Sequence, residues 1–146
     1  MEEELGLLHQ IQEQFACKEI DIRTYSPLTL AFLGDCVFEI VIRTVVVGRG
    51  NKQPGALHKE KAKIVNAATQ ARMIEALQEE LTEEEALIYR RGRNAKSYSS
   101  AKNASITDYR KATGLEALCG FLYLNGQMDR ALYLIERGLE KLEITL

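Results

Sequence analysis

The sequence predicts a single all-α domain, and three observations carry that expectation. Apolar residues recur at three- and four-residue spacing in one segment after another. Several of these segments open on helix-start signals. No segment alternates apolar with polar residues as a half-buried strand would. The 146 residues, 46% hydrophobic and 27% charged, suit one globular core and exclude disordered, collagen-like and Pro-rich classes. There is no run of about 18 apolar residues to span a bilayer. The acidic start, Met1-Glu-Glu-Glu4, lacks the basic segment of a secretory signal. The expected location is cytoplasmic, with no membrane attachment.

Residues 1–16 carry Leu5, Leu8, Ile11 and Phe15 at helical spacing and read as a short amphipathic helix. Ser26-Pro27 is a helix start, with Ser at the N-cap and Pro in the first turn. From Leu28 to Val47 the chain is apolar almost all round, which predicts a central, buried helix. The β-branched run Val45-Val46-Val47 would also suit a strand; the length and the start signal favour helix. Gly48 to Gln53 is a loop, and Pro54 opens a helix expected to reach about Glu80. Thr82 and Glu85 form a capping box for a short helix ending near Arg91-Gly92. The stretch from Arg93 to Asn103, rich in Ser and Asn, reads as a loop. A helix follows from about Thr107 to Leu124, Asn125-Gly126 breaks it, and a last amphipathic helix runs from Gln127 to about Leu142.

The net charge of −2 alone argues against a nucleic-acid binder, but its distribution does not. Residues 40–63 and 90–111 together hold thirteen basic and two acidic side chains, and the other 100 residues hold six basic and nineteen acidic ones. Such segregation predicts a local basic surface on an acidic body, although two ordinary solvated faces would give the same pattern. Cys17, Cys36 and Cys119 are widely spaced and form no metal-binding cluster. Cys36 and Cys119 sit in apolar runs and read as small, inert core residues.

Two carboxylates stand out. Asp35, with Gly34 before it, lies in an apolar helical run, and Glu116 lies in another, two residues after Gly114. An acid in such surroundings must be paired, protonated or bound to a cation. If the two helices pack, the pair makes an oxygen site suited to Mg²⁺. Pairing with Arg or Lys elsewhere is the alternative. Glu39, one turn beyond Asp35, is the weaker candidate for chemistry.

These residues also carry a resemblance. Leu30-Ala-Phe-Leu-Gly-Asp-Cys-Val-Phe-Glu39 resembles the signature helix of the ribonuclease III family, E-x-x-E-F-L-G-D-A-V-L-E. Thr113-Gly-Leu-Glu-Ala-Leu-Cys-Gly-Phe-Leu-Tyr-Leu124 resembles that family's second motif, D-x-F-E-A-x-x-G-A-x-Y-L. Arg90-Arg-Gly-Arg-Asn-Ala-Lys96, with Leu57-His58 upstream, looks like the Mini-ribonuclease III subfamily, which lacks a double-stranded RNA-binding domain. The likeness covers about residues 20–142, so 20–146 is read as the catalytic domain. Residues 1–19 are a helical extension, serving as a dimer contact, a ribosome contact or a packing helix.

The resemblance implies an all-α, homodimeric ribonuclease III-like endonuclease domain. It would hydrolyse phosphodiesters in double-stranded RNA with Mg²⁺ and leave 5′-phosphate ends. The substrate implied is the paired ends of the large-subunit (23S) ribosomal RNA precursor, in the setting of ribosome assembly. Asp35 and Glu116 match two of the family's four carboxylates. Ala31 and Thr113 stand where acids are usual, and Thr113 is the residue type the subfamily also carries. Asp35 and Glu116 are then the catalytic and metal ligands, with Thr113 holding a water of the cation. His58, Arg91, Arg93, Asn94, Lys96 and Lys102 are the RNA-binding candidates, because paired RNA is read largely through phosphates and 2′-hydroxyls. Phe32 matches a dimer contact of the family, and an ordinary core aromatic is its other reading. Two alternatives stay open. The missing acids at Ala31 and Thr113 would fit an inactive RNA-binding or ribosome-associated relative, and the helices alone would fit a protein-interaction adaptor.

Overall fold

The computed structural model describes residues 6–95 and 105–146, and these form seven α-helices and no strand. The helices are α1 (Leu7–Gln14), α2 (Pro27–Gly48), α3 (Pro54–Ala62), α4 (Ala67–Leu77), α5 (Glu83–Asn94), α6 (Ile106–Leu124) and α7 (Met128–Lys141). The all-α expectation holds. Most start signals also act as read: the Ser26 hydroxyl accepts from the Thr29 N–H, and Thr82 and Glu85 close a reciprocal capping box. Ser105 caps α6 in the same way. Gly126, at φ 72°, turns the chain between α6 and α7.

Helix α6 is the hub, packed against α2, α5 and α4, while α7 covers α4. From Ala112 to Leu122 every α6 residue but Glu116 is buried. That is the behaviour of a helix apolar all round. Small residues on α6 let its neighbours come unusually close. A Cβ on Gly34 would lie 1.6 Å from the Glu116 carbonyl oxygen, and one on Gly120 would lie 2.0 Å from that of Leu30. The backbones of α2 and α6 therefore touch. On the other side, a Cβ on Gly92 of α5 would lie 2.9 Å from the Gly114 Cα.

The ends of α5 and α7 are tied by charge. Glu85, buried in the α5 capping box, takes two hydrogen bonds from Arg130, whose Nη2 also donates to the Glu80 carbonyl. The Glu80 carboxylate accepts from Arg137, Lys141 and the Tyr133 hydroxyl, which hold it down at about 2.

Three expectations fail. The helix opened by Pro54 does not run through to Glu80. It stops at Ala62, and α4 begins at Ala67. Asn66 ends one helix and starts the other: its Nδ2 donates to the Ala62 and Lys63 carbonyls, and its Oδ1 accepts from the Thr69 N–H. Helix α2 is central but not buried all round. Phe32 is 80% exposed, Leu28, Cys36 and Ile40 are exposed along the same side, and only Cys119 of the two expected core cysteines lies in the core. Finally, α5 continues two residues past Gly92 to Asn94, because Gly92 packs into α6 instead of ending the helix.

Gly34→Ala or Gly120→Ala should force α2 and α6 apart and destabilise the fold by about 3 kcal/mol or more. Gly55→Ala, where a Cβ meets nothing within 4 Å, should be nearly neutral. Urea unfolding of the three variants checks this.

Candidate active site

The glycine contact decides which side chains meet. With Gly34 pressed on the Glu116 carbonyl, Asp35 follows directly on α2 and comes to the Glu116 carboxyl. Asp35 is exposed, against the expectation that it is buried, because it lies at the solvent edge of the helix pair. Glu116 is the enclosed member. Burial, and then the Asp35 charge, push it up to about 8 from an ordinary 4.5. No described lysine or arginine pairs with either acid, unlike the other enclosed acids. Glu85 is held low by Arg130, and Glu39 by Arg43 at 2.7 Å and Lys61 at 3.1 Å. Glu39 is thereby committed to a surface ion cluster, in keeping with its weaker candidacy.

The donor set fits a hard divalent cation. Two carboxyl groups without a basic partner cannot both carry charge cheaply, so Glu116 holds its proton at neutral pH, and positive charge between them would relieve both. Mg²⁺ keeps several waters, so two carboxylates plus a substrate phosphate can hold it. Among the described residues no group of three or more acidic, His or Cys side chains converges, so these residues offer the pair without further acidic, His or Cys ligands. Thr113, one turn before Glu116, donates its hydroxyl hydrogen to the Tyr109 carbonyl at 3.0 Å. Only its lone pairs remain to meet a water.

The basic candidates divide between two places. Arg91, Arg93 and Asn94 lie in the last turn of α5, not on a loop. Gly92 sits against Gly114 and Ala117, so this turn runs beside the turn of α6 that carries Glu116. The Arg93 guanidinium stacks 5.6 Å over the Tyr89 ring, and its Nε donates to Asn94. His58 is exposed on α3, in a cleft of about 150 Å³ with Arg43 and Lys61. Lys96 and Lys102 lie outside the described residues. Phe32 is not a core aromatic; it stands exposed on α2, one turn before Asp35.

One residue at the site was missed. Gln70 of α4 is 4% exposed, and its amide lies at the Glu116 carboxyl, on a helix packed against α6. The signal was present: Asn66 with Thr69 is a helix start, and it turns Gln70 inward.

The fold and its match to a known domain define the class, a ribonuclease. Residues 28–127 match the Ribonuclease III domain, and the chain belongs to the ribonuclease III family, whose members are endoribonucleases acting on double-stranded RNA. Among its relatives, Mini-ribonuclease 3 of Enterococcus faecalis is 44% identical over 123 residues, 83% of this chain and 93% of that protein. Mini-ribonuclease 3 of Streptococcus pneumoniae is 40% identical over 126 residues, 85% of this chain and 98% of that protein. A crystal structure of a protein from Fusobacterium nucleatum superposes with a TM-score of 0.76 at 32% identity, covering 84% of this chain and 99% of that one.

The raised Glu116 has a consequence for stability. An acid whose folded pKa exceeds its unfolded value contributes fully below the unfolded value and loses that contribution as pH climbs through the folded one. In chelator the protein should lose stability between about pH 4.5 and 8. Glu116→Gln should raise the melting midpoint at pH 8 by about 5 °C and leave it unchanged near pH 4. Calorimetry across that range checks the sign.

Proposed function

We propose that the chain is a Mg²⁺-dependent endoribonuclease that cuts double-stranded RNA at Asp35 and Glu116, with the paired ends of the 23S ribosomal RNA precursor as substrate. The observation that carries this reading is the acid pair brought together by the α2–α6 backbone contact without a basic partner. A bound Mg²⁺ supplies Lewis-acid polarisation of the phosphate and a water of lowered pKa. The chain's own residues do the rest. Asp35, exposed at the solvent edge of the helix pair, would be the first of the two to meet the cation. Glu116, the enclosed member, would release its proton on loading and serve as the second carboxylate ligand. Thr113 accepts from a water at the floor of the site. Attack in line with the leaving 3′ oxygen leaves a 5′-phosphate and a 3′-hydroxyl.

The turn Arg91–Asn94, next to the Glu116 turn, grips backbone phosphates, and Lys96 and Lys102 are further phosphate contacts proposed from the sequence. Tyr89 beneath Arg93 restricts its guanidinium, which lowers the entropy lost on contact. His58 with Arg43 and Lys61 provides a second grip. The exposed apolar stripe Leu28, Phe32, Cys36 and Ile40 pairs with its equivalent in a second copy. Since Asp35 borders that stripe, the dimer sets two sites along one duplex. Residues 1–19 form an extension outside the catalytic unit, residues 20–146: α1 buries no residue. No described helix is long and apolar enough to cross a membrane, and the proposed place of work is the cytoplasm, with the pre-ribosome. An inactive RNA-binding relative is the second reading, favoured by the two acids present where four are usual.

A perfect RNA duplex incubated with Mg²⁺ should be cut by the wild type and left intact with chelator. Asp35→Asn and Glu116→Gln should each lower the rate by about a thousandfold or more while duplex binding persists. Binding without cutting by the wild type would establish the second reading. Arg91→Ala with Arg93→Ala should weaken binding and flatten the slope of log affinity against log salt by about 2. Phe32→Glu should yield a monomer in light scattering; a dimer that persists would remove the stripe from the interface.

A further inference from the structure

We propose that Gln70 is a positioning residue: its side-chain amide holds the Glu116 carboxylate in the orientation that receives the cation. This rests on the reading of Asp35 and Glu116 as the cation site, and it adds a third helix, α4, to that site.

Three observations lead there. Gln70 is 4% exposed, and its Nε2 is the one buried side-chain polar atom among the described residues left without a hydrogen-bond partner. A buried donor in that state costs about 1–3 kcal/mol, so a fold selected only for stability would hold an apolar residue there. Second, the amide reaches Glu116, which lacks a basic partner, without closing a hydrogen bond of ordinary geometry. The donor and the carboxyl it would serve already lie together. Third, the local structure is built to bring Gln70 inward. Asn66 breaks the α3–α4 segment, Thr69 Oγ1 donates to the Lys63 carbonyl, and the Gln70 N–H bonds the Asn66 carbonyl, which anchors the first turn of α4.

The neutral amide suits the task. A lysine or arginine at this place would cancel the charge of the acid pair and compete with the cation. A glutamine donates one N–H to one carboxylate oxygen, turns the other oxygen toward Asp35, and leaves the charge of the pair intact. Hydrogen-bonded support behind a metal ligand is typically worth 10–100-fold in metal affinity or activity.

The test compares full-length wild type with Gln70→Met, Gln70→Leu and Glu116→Gln. Without metal, the Met and Leu variants should melt at or above the wild-type midpoint, because an unpartnered buried donor is gone. They should bind duplex RNA in chelator as the wild type does. Mn²⁺ should raise the wild-type melting midpoint, and that rise should be mostly lost in both variants. The Mg²⁺ concentration for half-maximal cleavage should increase about tenfold, with the rate at saturating Mg²⁺ falling less. Unchanged Mg²⁺ dependence and an unchanged Mn²⁺ response in folded variants would overturn the inference. Loss of folded structure in both would make Gln70 a packing residue and overturn it as well. Glu116→Gln separates the two levels: if it cleaves with wild-type Mg²⁺ dependence, the cation site itself is elsewhere. If it is inactive while both Gln70 variants behave as wild type, only the role of Gln70 fails.

Discussion

The backbones of α2 and α6 touch at Gly34 and Gly120, and nearly every other feature of the site follows from that contact. Two helices separated by ordinary side chains lie about 8–10 Å apart. Here the Cβ atoms are absent where the chains cross, and the Glu116 carbonyl occupies the space a Gly34 side chain would fill. The close approach fixes the two helices in register as well as in distance. It carries Asp35, the residue after Gly34, to the side chain of the residue whose carbonyl Gly34 meets. The same device recurs on the other flank of α6. There Gly92 and Gly114 draw α5 in and lay its final, arginine-bearing turn beside the acids.

The electrostatic contrast within the molecule is what marks the acids as a site. Glu85 is more deeply buried than Glu116, yet two hydrogen bonds from Arg130 and a backbone N–H hold its charge comfortably. Glu80 and Glu39 likewise sit among bases. Each of these anchors one element to another, α7 onto the α4–α5 corner and α3 onto α2. Among these described acids, Glu116 is the one that meets another acid and a neutral amide. A fold able to neutralise its other enclosed acids, and leaving this one uncompensated, keeps an open demand for positive charge at one spot. Because Asp35 stays exposed, the demand faces outward, where a hydrated cation and a phosphate can reach it.

Two kinds of surface border the acids. Guanidinium groups at the α5 end extend the positive field beside the site, and the helix C-terminus there favours cations. An apolar stripe on α2, Leu28, Phe32, Cys36 and Ile40, runs along the other border. Paired RNA offers a regular array of phosphates and a two-fold relation between strands. The two-fold pair proposed above, joined at the stripe, would match that relation.

The order and kind of the helices, their caps at Ser26 and Thr82, the turn at Gly126 and the identity of the two acids were legible in the residues. All of these depend on neighbours within a turn or two along the chain, or on short motifs whose spacing is itself the signal. The break at Asn66 was equally local but hidden, since a continuous apolar stripe through residues 57–77 masked a helix start. What lay beyond the chain's own order was decided by packing across it. Cys36 looked buried and is exposed, Asp35 looked enclosed and stands at the edge, and Phe32 faces outward instead of into the core. Nothing in a helix apolar on all sides says which side meets its neighbour. Gly34 and Gly120 make that choice, because only there can α2 and α6 approach to backbone contact. By itself the sequence determined the elements and the chemistry they carry; the tertiary structure decided which side of α2 faces α6, and with it the meeting of Asp35, Glu116 and Gln70.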